Sequence, residues 1–213
     1  MIGLEGLRSE WNGNTMWSYL GRVLRGSRPP FDPSTLQVGD LPMFLAGDVN
    51  RRHPVLHEAS DDGRIAGYNA IAEKPSAFLR KARMGVVFTH PSIASVGVGP
   101  GMRGTVTGEY DYDDQGRAVM TSRNGGLVRV YAASNDSRIL GASLVSPGGE
   151  HTAHLAAWAV QCGMTVFEML QMPYYHPTLE EGLRSAVRDA ARKLLVREEG
   201  QALPELPLGR SGP

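Results

Sequence analysis

The chain reads as an α+β protein, an antiparallel sheet of about five strands with helices packed on one face, preceded by a strand and a helix from an α/β unit. Three observations predict this. Between Met84 and Val145 short runs of β-favouring residues are separated by Gly-, Asp- and Asn-containing turns, the mark of strands joined by tight connections. From Glu150 to Arg197 the apolar residues fall instead at helical spacing. Strands first and helices last leaves the helices on one side of the sheet.

The totals suit such a fold and narrow what it can do. The chain has 213 residues, 41% of them hydrophobic and 21% charged. A chain of this length buries about 70% of its unfolded surface, enough for one domain or one and a fraction. Formal net charge is zero, which argues against a nucleic-acid binder or a polybasic membrane-surface protein. Cys162 is the only cysteine. An intramolecular disulfide, a zinc site of several thiolates and a dithiol redox pair are thereby excluded, and a reducing, cytoplasmic location fits. No apolar run reaches the length of a membrane span, and Met1-Ile2-Gly3-Leu4-Glu5 has no signal-peptide pattern.

Taken in order, residues 1–31 form an uncertain segment with a candidate helix at Met16–Leu24, closed by Pro29-Pro30. A short buried strand is expected at Met43–Ala46, ending on Gly47-Asp48. Strand carboxyl ends of that kind hold ligands in α/β folds, so Asp48 either accepts from ligand hydroxyls or bonds its own backbone in a turn. Pro54–Ala72 has helical spacing, with Asp61-Asp62-Gly63 on the wet side and His57 in the first turn, where free N–H groups can receive an electronegative ligand atom. Strands are then expected at Gly85–Thr89, Ile93–Val98, Gly104–Tyr112, Ala118–Thr121, Leu127–Ala132 and Ile139–Val145, with Asp113–Gly116 and Ser134–Ser137 as hairpin turns. Helices follow at Glu150–Cys162, with Cys162 packed, at Val166–Gln171 and at Pro177–Arg197. The tail 198–213, rich in Gly, Pro and Leu, is expected to fray.

The last helix carries the chemistry. In Tyr174-Tyr175-His176-Pro177-Thr178-Leu179-Glu180-Glu181 a histidine precedes a proline placed at the first helical position, with two carboxylates in the first turn. A carboxylate beside an imidazole fixes its tautomer and readies the other nitrogen for proton transfer. The plainer alternative is a histidine cap with solvated glutamates. Two other patterns are set aside. Gly99-Pro100-Gly101-Met102-Arg103-Gly104 matches GxGxxG, but a strand follows instead of a helix, so it reads as a turn. Glu150, His151 and His154, with His176 as a fourth ligand, offer metal-binding residue types without the HExxH order; a metal-dependent hydrolase is a minor alternative, and no metal is assigned.

Four segments in order then carry a resemblance: Pro42-Met43-Phe44-Leu45-Ala46-Gly47-Asp48; Leu56-His57-Glu58-Ala59 with Asp62-Gly63-Arg64; Phe88-Thr89-His90-Pro91-Ser92-Ile93-Ala94-Ser95-Val96-Gly97; and His176-Pro177-Thr178-Leu179-Glu180-Glu181. Together they resemble the C-terminal part of the FAD-dependent pyridine nucleotide–disulfide oxidoreductases, most closely the dihydrolipoamide dehydrogenase branch, from about Asp32 to Leu195. The resemblance implies that 32–82 is a remnant of the FAD-binding domain, with Gly47 and Asp48 on the ribityl or phosphate side and Leu56 and His57 facing the flavin edge. It implies that 83–197 is an interface domain forming a homodimer, in which His176, oriented by Glu181, is the acid/base at the partner's flavin and redox disulfide. This sequence carries no redox cysteine pair and neither dinucleotide motif. FAD binding by the chain alone is therefore expected to be weak or absent and the chain inactive by itself, with a missing N-terminal FAD/NAD half as a candidate partner beside the second copy. The alternative is a stand-alone dimerisation or scaffolding module pairing with a separate N-terminal half.

Overall fold

The computed structural model describes residues 30–197; the expected helix at Met16–Leu24 and the tail from Glu198 lie outside the described residues. The chain divides between Arg80 and Lys81 into two compact units.

In the first unit Leu36, Val38 and Leu45 are buried, as is Ile65 of helix α1 (Leu56–Ile71). The strand expected at Met43–Ala46 is reduced to one antiparallel bridge, Gln37 to Phe44. Pro42 has no N–H to lend to a ladder, and the chain turns at once into a 3-10 helix at Gly47–Asn50. Asp62, expected on the wet side of α1, is only 2% exposed. It accepts from the Gly47 N–H at 2.9 Å and from the Asn50 amide, and pairs with Arg80, whose guanidinium also holds Glu58 at 2.7 Å. A carboxylate taken out of water needs this set of donors and a cation, which is why sequence spacing misplaced it.

The second unit is the α+β fold. Strands β1 (Met84–Val87), β2 (Ser92–Gly97), β3 (Thr105–Asp111), β4 (Leu127–Ala133) and β5 (Ile139–Ser146) form one antiparallel sheet in the order β1-β2-β5-β4-β3. Period-two alternation sends Ala94, Val96, Val106, Val128, Val130, Ala132, Ala142 and Leu144 into one core. Helix α3 (Gly149–Gln161) contributes Ala153, Ala156 and Ala159; helix α5 (Glu181–Arg197) contributes Leu183, Val187, Ala190 and Leu194. The short helices α2 (Gly116–Met120) and α4 (Val166–Leu170) complete the unit. On the opposite face the register sets Val87, Ile93, Val145 and Leu127 side by side across four strands, the first three 56%, 45% and 40% exposed.

Three expectations fail here for identifiable reasons. Ala118–Thr121 is not a strand: the Gln115 side chain accepts from the Ala118 N–H at 2.8 Å and caps α2, so β3 pairs directly with β4. Helix α5 starts at Glu181 instead of Pro177, because the Thr178 N–H and C=O are bonded to side chains, leaving that residue outside the helical ladder. The His176–Pro177 peptide is cis, as is His90–Pro91. Cys162, expected to be packed, is exposed, because α3 ends one residue before it.

Helix α5 lies on β3 at very short range. A Cβ on Gly108 would stand 2.1 Å from the Ala186 carbonyl and 2.4 Å from the Ala190 nitrogen, so only glycine allows this approach. The same helix reaches the free edge of β3, where Asp189 accepts from the Glu109 N–H at 3.0 Å and Lys193 donates to the Thr107 carbonyl at 2.9 Å. Asp189 and Lys193 are themselves paired at 2.7 Å. Gly108→Ala is expected to push α5 off the sheet and destabilise the second unit by about 3 kcal/mol; a urea midpoint within error of the parent would contradict this.

A candidate acid–base site at the start of the last helix

The turn from Tyr174 to Glu180 leads into α5, and its side chains are anchored in layers. Tyr174 is half-buried with the Arg184 guanidinium 5.7 Å from its ring centre. Thr178 ties the turn internally, its hydroxyl donating to the Tyr175 carbonyl at 2.9 Å. His176 stands outside this packing, its side chain 79% exposed, whereas that of Glu181 is 24% exposed.

His176 Nδ1 lies 3.0 Å and 3.1 Å from the two carboxylate oxygens of Glu181. An ionised carboxylate only accepts, so the shared proton sits on Nδ1 and the neutral ring keeps Nε2 as a free base. Glu181 Oε2 also accepts from the Thr178 N–H at 3.0 Å. Partial desolvation raises the Glu181 carboxyl pKa, but the Thr178 amide, the His176 ring and Arg184 outweigh it and hold the group below the ordinary glutamate value. Glu181 therefore stays charged and can stabilise an imidazolium. Glu180, the other carboxylate expected in the first turn, lies just before the helix and lines a cavity of about 750 Å³ together with Pro177, His90, Arg123, Glu150 and His151.

The remaining candidates are placed as follows. Glu150 accepts from the Ser92 hydroxyl at 2.7 Å, and His154 Nδ1 meets the carbonyl of Glu150 in its own helix at 2.7 Å. Among the described residues no three His, Cys, Asp or Glu side chains are grouped to hold a metal. The Gly99–Gly104 segment is a turn that runs into β3. In the first unit Asp48 is exposed on the 3-10 helix, and the Gly47 N–H is already given to Asp62. Leu56 and His57 are the exposed first residues of α1, where Val55 gives no side-chain cap, leaving first-turn N–H groups for a ligand.

Sequence reading missed two residues of the site. Tyr112 donates to the Leu179 carbonyl at 3.1 Å and Gln115 Nε2 to the Thr178 carbonyl at 2.7 Å. Both come from the connection after β3, some sixty residues upstream, with no local pattern that marks them.

Residues 84–187 match the family model described as pyridine nucleotide-disulphide oxidoreductase, dimerisation domain. Over 171 residues the chain is 32% identical to dihydrolipoyl dehydrogenase 3 of Haloarcula marismortui, covering 77% of this chain and 35% of that protein. It is 28% identical over 162 residues to an NAD(P)H dehydrogenase (quinone) of Mycobacterium tuberculosis, covering 74% and 32%. Among solved structures, LpdA of Mycobacterium tuberculosis superposes with a TM-score of 0.65 at 27% identity, covering 75% of this chain and 36% of that one. The HOCl-induced flavoprotein disulfide reductase of Escherichia coli shares the fold with a TM-score of 0.62 at 17% identity, covering 77% and 40%. The chain spans about a third of the length of the curated relatives it matches. Among the described residues no helix is long and apolar enough to cross a membrane.

The lowered Glu181 value has a sign that can be measured. A carboxyl group held below its unfolded value of 4.5 adds stability above that pH and loses it as pH falls through the folded value. The urea midpoint of Glu181→Gln is therefore expected to lie below the parent's at pH 6, with the gap closing as pH falls below 4.5. A gap independent of pH would contradict the assignment.

Proposed function

Residues 84–187 belong to the dimerisation-domain family of the pyridine nucleotide-disulphide oxidoreductases, and from that premise we propose that the chain forms a homodimer supplying a His–Glu acid–base pair to a dihydrolipoamide dehydrogenase-like flavoenzyme. The observation that carries this is the Nδ1-to-carboxylate contact of 3.0 Å on an imidazole whose side chain is otherwise exposed. In the proposed role Nε2 takes the proton of a substrate thiol, leaving a thiolate to attack a disulfide and an imidazolium steadied by Glu181. In the reverse direction the imidazolium returns the proton to the departing thiolate.

The exposed row of Val87, Ile93 and Val145 supports the dimer, since a contiguous apolar strip on a sheet face is stabilised by being covered. Light scattering is expected to give twice the 23.0 kDa of one chain; a clean monomer at high concentration would sink the homodimer.

FAD is the cofactor this reading implies. Asp48 has the exposed carboxylate to accept from ribityl hydroxyls, and the uncapped first turn at Leu56 and His57 suits an electronegative ring edge. These residues fit part of such a cofactor. When bound, the flavin supplies the electron transfer between dithiol and nicotinamide. The second reading is a stand-alone dimerisation or scaffolding module pairing with a separate N-terminal half, which the exposed apolar row of the sheet also suits.

A chimera tests the acid–base role. With residues 32–197 replacing the corresponding part of the Haloarcula dihydrolipoyl dehydrogenase, His176→Gln is expected to lower kcat by about 10²–10⁴-fold at unchanged flavin content. A loss smaller than about threefold, far under the usual acid–base contribution, would refute the role.

A further inference from the structure

The geometry points to Tyr112 and Gln115 as positioning residues for the His176–Glu181 pair, an assignment that rests on the acid–base reading of that pair. Neither touches the imidazole. Both act on the short stretch between histidine and glutamate. Thr178 is held on both sides: its N–H donates to Glu181 Oε2 at 3.0 Å and its C=O, in the following peptide, accepts from Gln115 Nε2 at 2.7 Å. The next carbonyl, that of Leu179, accepts from the Tyr112 hydroxyl at 3.1 Å. The carboxylate that faces His176 Nδ1 thus takes its second contact from the N–H of a residue whose next two carbonyls are fixed from β3's end of the sheet.

The two donors are themselves fixed. Tyr112 is fully buried and Gln115 is 3% exposed. Gln115 Oε1 accepts from the Ala118 N–H at 2.8 Å, which settles the amide orientation and aims Nε2 at Thr178. Burial pushes the Tyr112 phenol up to about 12, with the hydroxyls of Ser146 and Thr152 beside it opposing the shift, so it remains a neutral donor at any ordinary pH. The ring also locates the helix. A Cβ on Gly182 would stand 2.5 Å from the phenol Cζ and Oη, so the residue next to Glu181 rests directly against Tyr112. One aromatic side chain therefore sets both the turn and the helix start, and with them the gap between ring and carboxylate.

This differs from ordinary packing in what it controls, namely which ring nitrogen holds the proton. The test uses the full chain and long-range ¹H–¹⁵N spectra of the imidazoles at a pH where His176 is neutral, its signals assigned by their loss in His176→Gln. The parent is expected to show His176 mainly as the Nδ1–H tautomer. Tyr112→Phe deletes one hydroxyl and keeps the buried ring; Gln115→Glu keeps the acceptor for Ala118 and removes the donor to Thr178. Each is expected to cut the Nδ1–H share by about half or more, the ring reverting toward a free imidazole mixture, while amide dispersion elsewhere is unchanged. If Gln115→Glu does not fold, Tyr112→Phe decides alone. Variants that retain the parent's tautomer share would overturn the positioning role and leave the acid–base pair standing. A parent ring that is mainly Nε2–H would overturn the pair itself and the positioning role with it.

Discussion

Backbone meets backbone where α5 crosses β3, and the absence of a side chain at Gly108 is what permits it. The rest of the second unit is arranged around that contact. A helix held this close needs small residues along its inner face, and Ala186, Ala190 and Ala191 supply them. Helix α3 follows the same rule with Ala153, Ala156 and Ala159. With α5 fixed in height above the sheet, its first turn comes down onto Tyr112, and Glu181 has one place to stand. The site's geometry is thus inherited from the packing of the core, a chain of constraints that runs from a missing methyl to the carboxylate.

The site pairs an open imidazole with closed supports. His176 projects into solvent while the groups that orient it sit in progressively drier surroundings: Glu181 is half-buried, Gln115 nearly enclosed, Tyr112 fully enclosed. Electrostatics follow the same gradient. The carboxylate is kept ionised by an amide, a ring and a guanidinium, and the phenol is kept neutral by burial. The proposed acid–base role would need such rigidity behind the ring, because water competes for every hydrogen bond in front.

Much of this was legible in the sequence. The strands that form the sheet are where alternation and turn residues put them, and α3, α4 and α5 follow the apolar spacing, because those patterns are enforced by burial on a single face. The His176–Glu181 contact was legible too, since the partners lie only five positions apart. What escaped depends on partners distant in the chain. The pattern at Ala118–Thr121 is strand-like, and it is the Gln115 cap that makes it helical. Asp62 read as wet because its cation, Arg80, lies beyond the end of its own helix. Pro177 read as the first helical residue because nothing nearby in sequence reveals that Gln115 claims the Thr178 carbonyl. Tyr112 and Gln115 themselves carry no local signature, being ordinary polar residues in a connection until the fold brings them beneath the turn.

The edge of β3 bears on how copies of this chain can meet. An outer strand normally presents alternate N–H and C=O groups to any extended segment that drifts past, which is the opening for open-ended, amyloid-like growth. Here the Glu109 N–H and the Thr107 C=O are already occupied by Asp189 and Lys193 of α5, so a sixth strand arriving on that side would have to displace a paired acid and base. Zipper-like extension on that side is opposed by the chain's own helix.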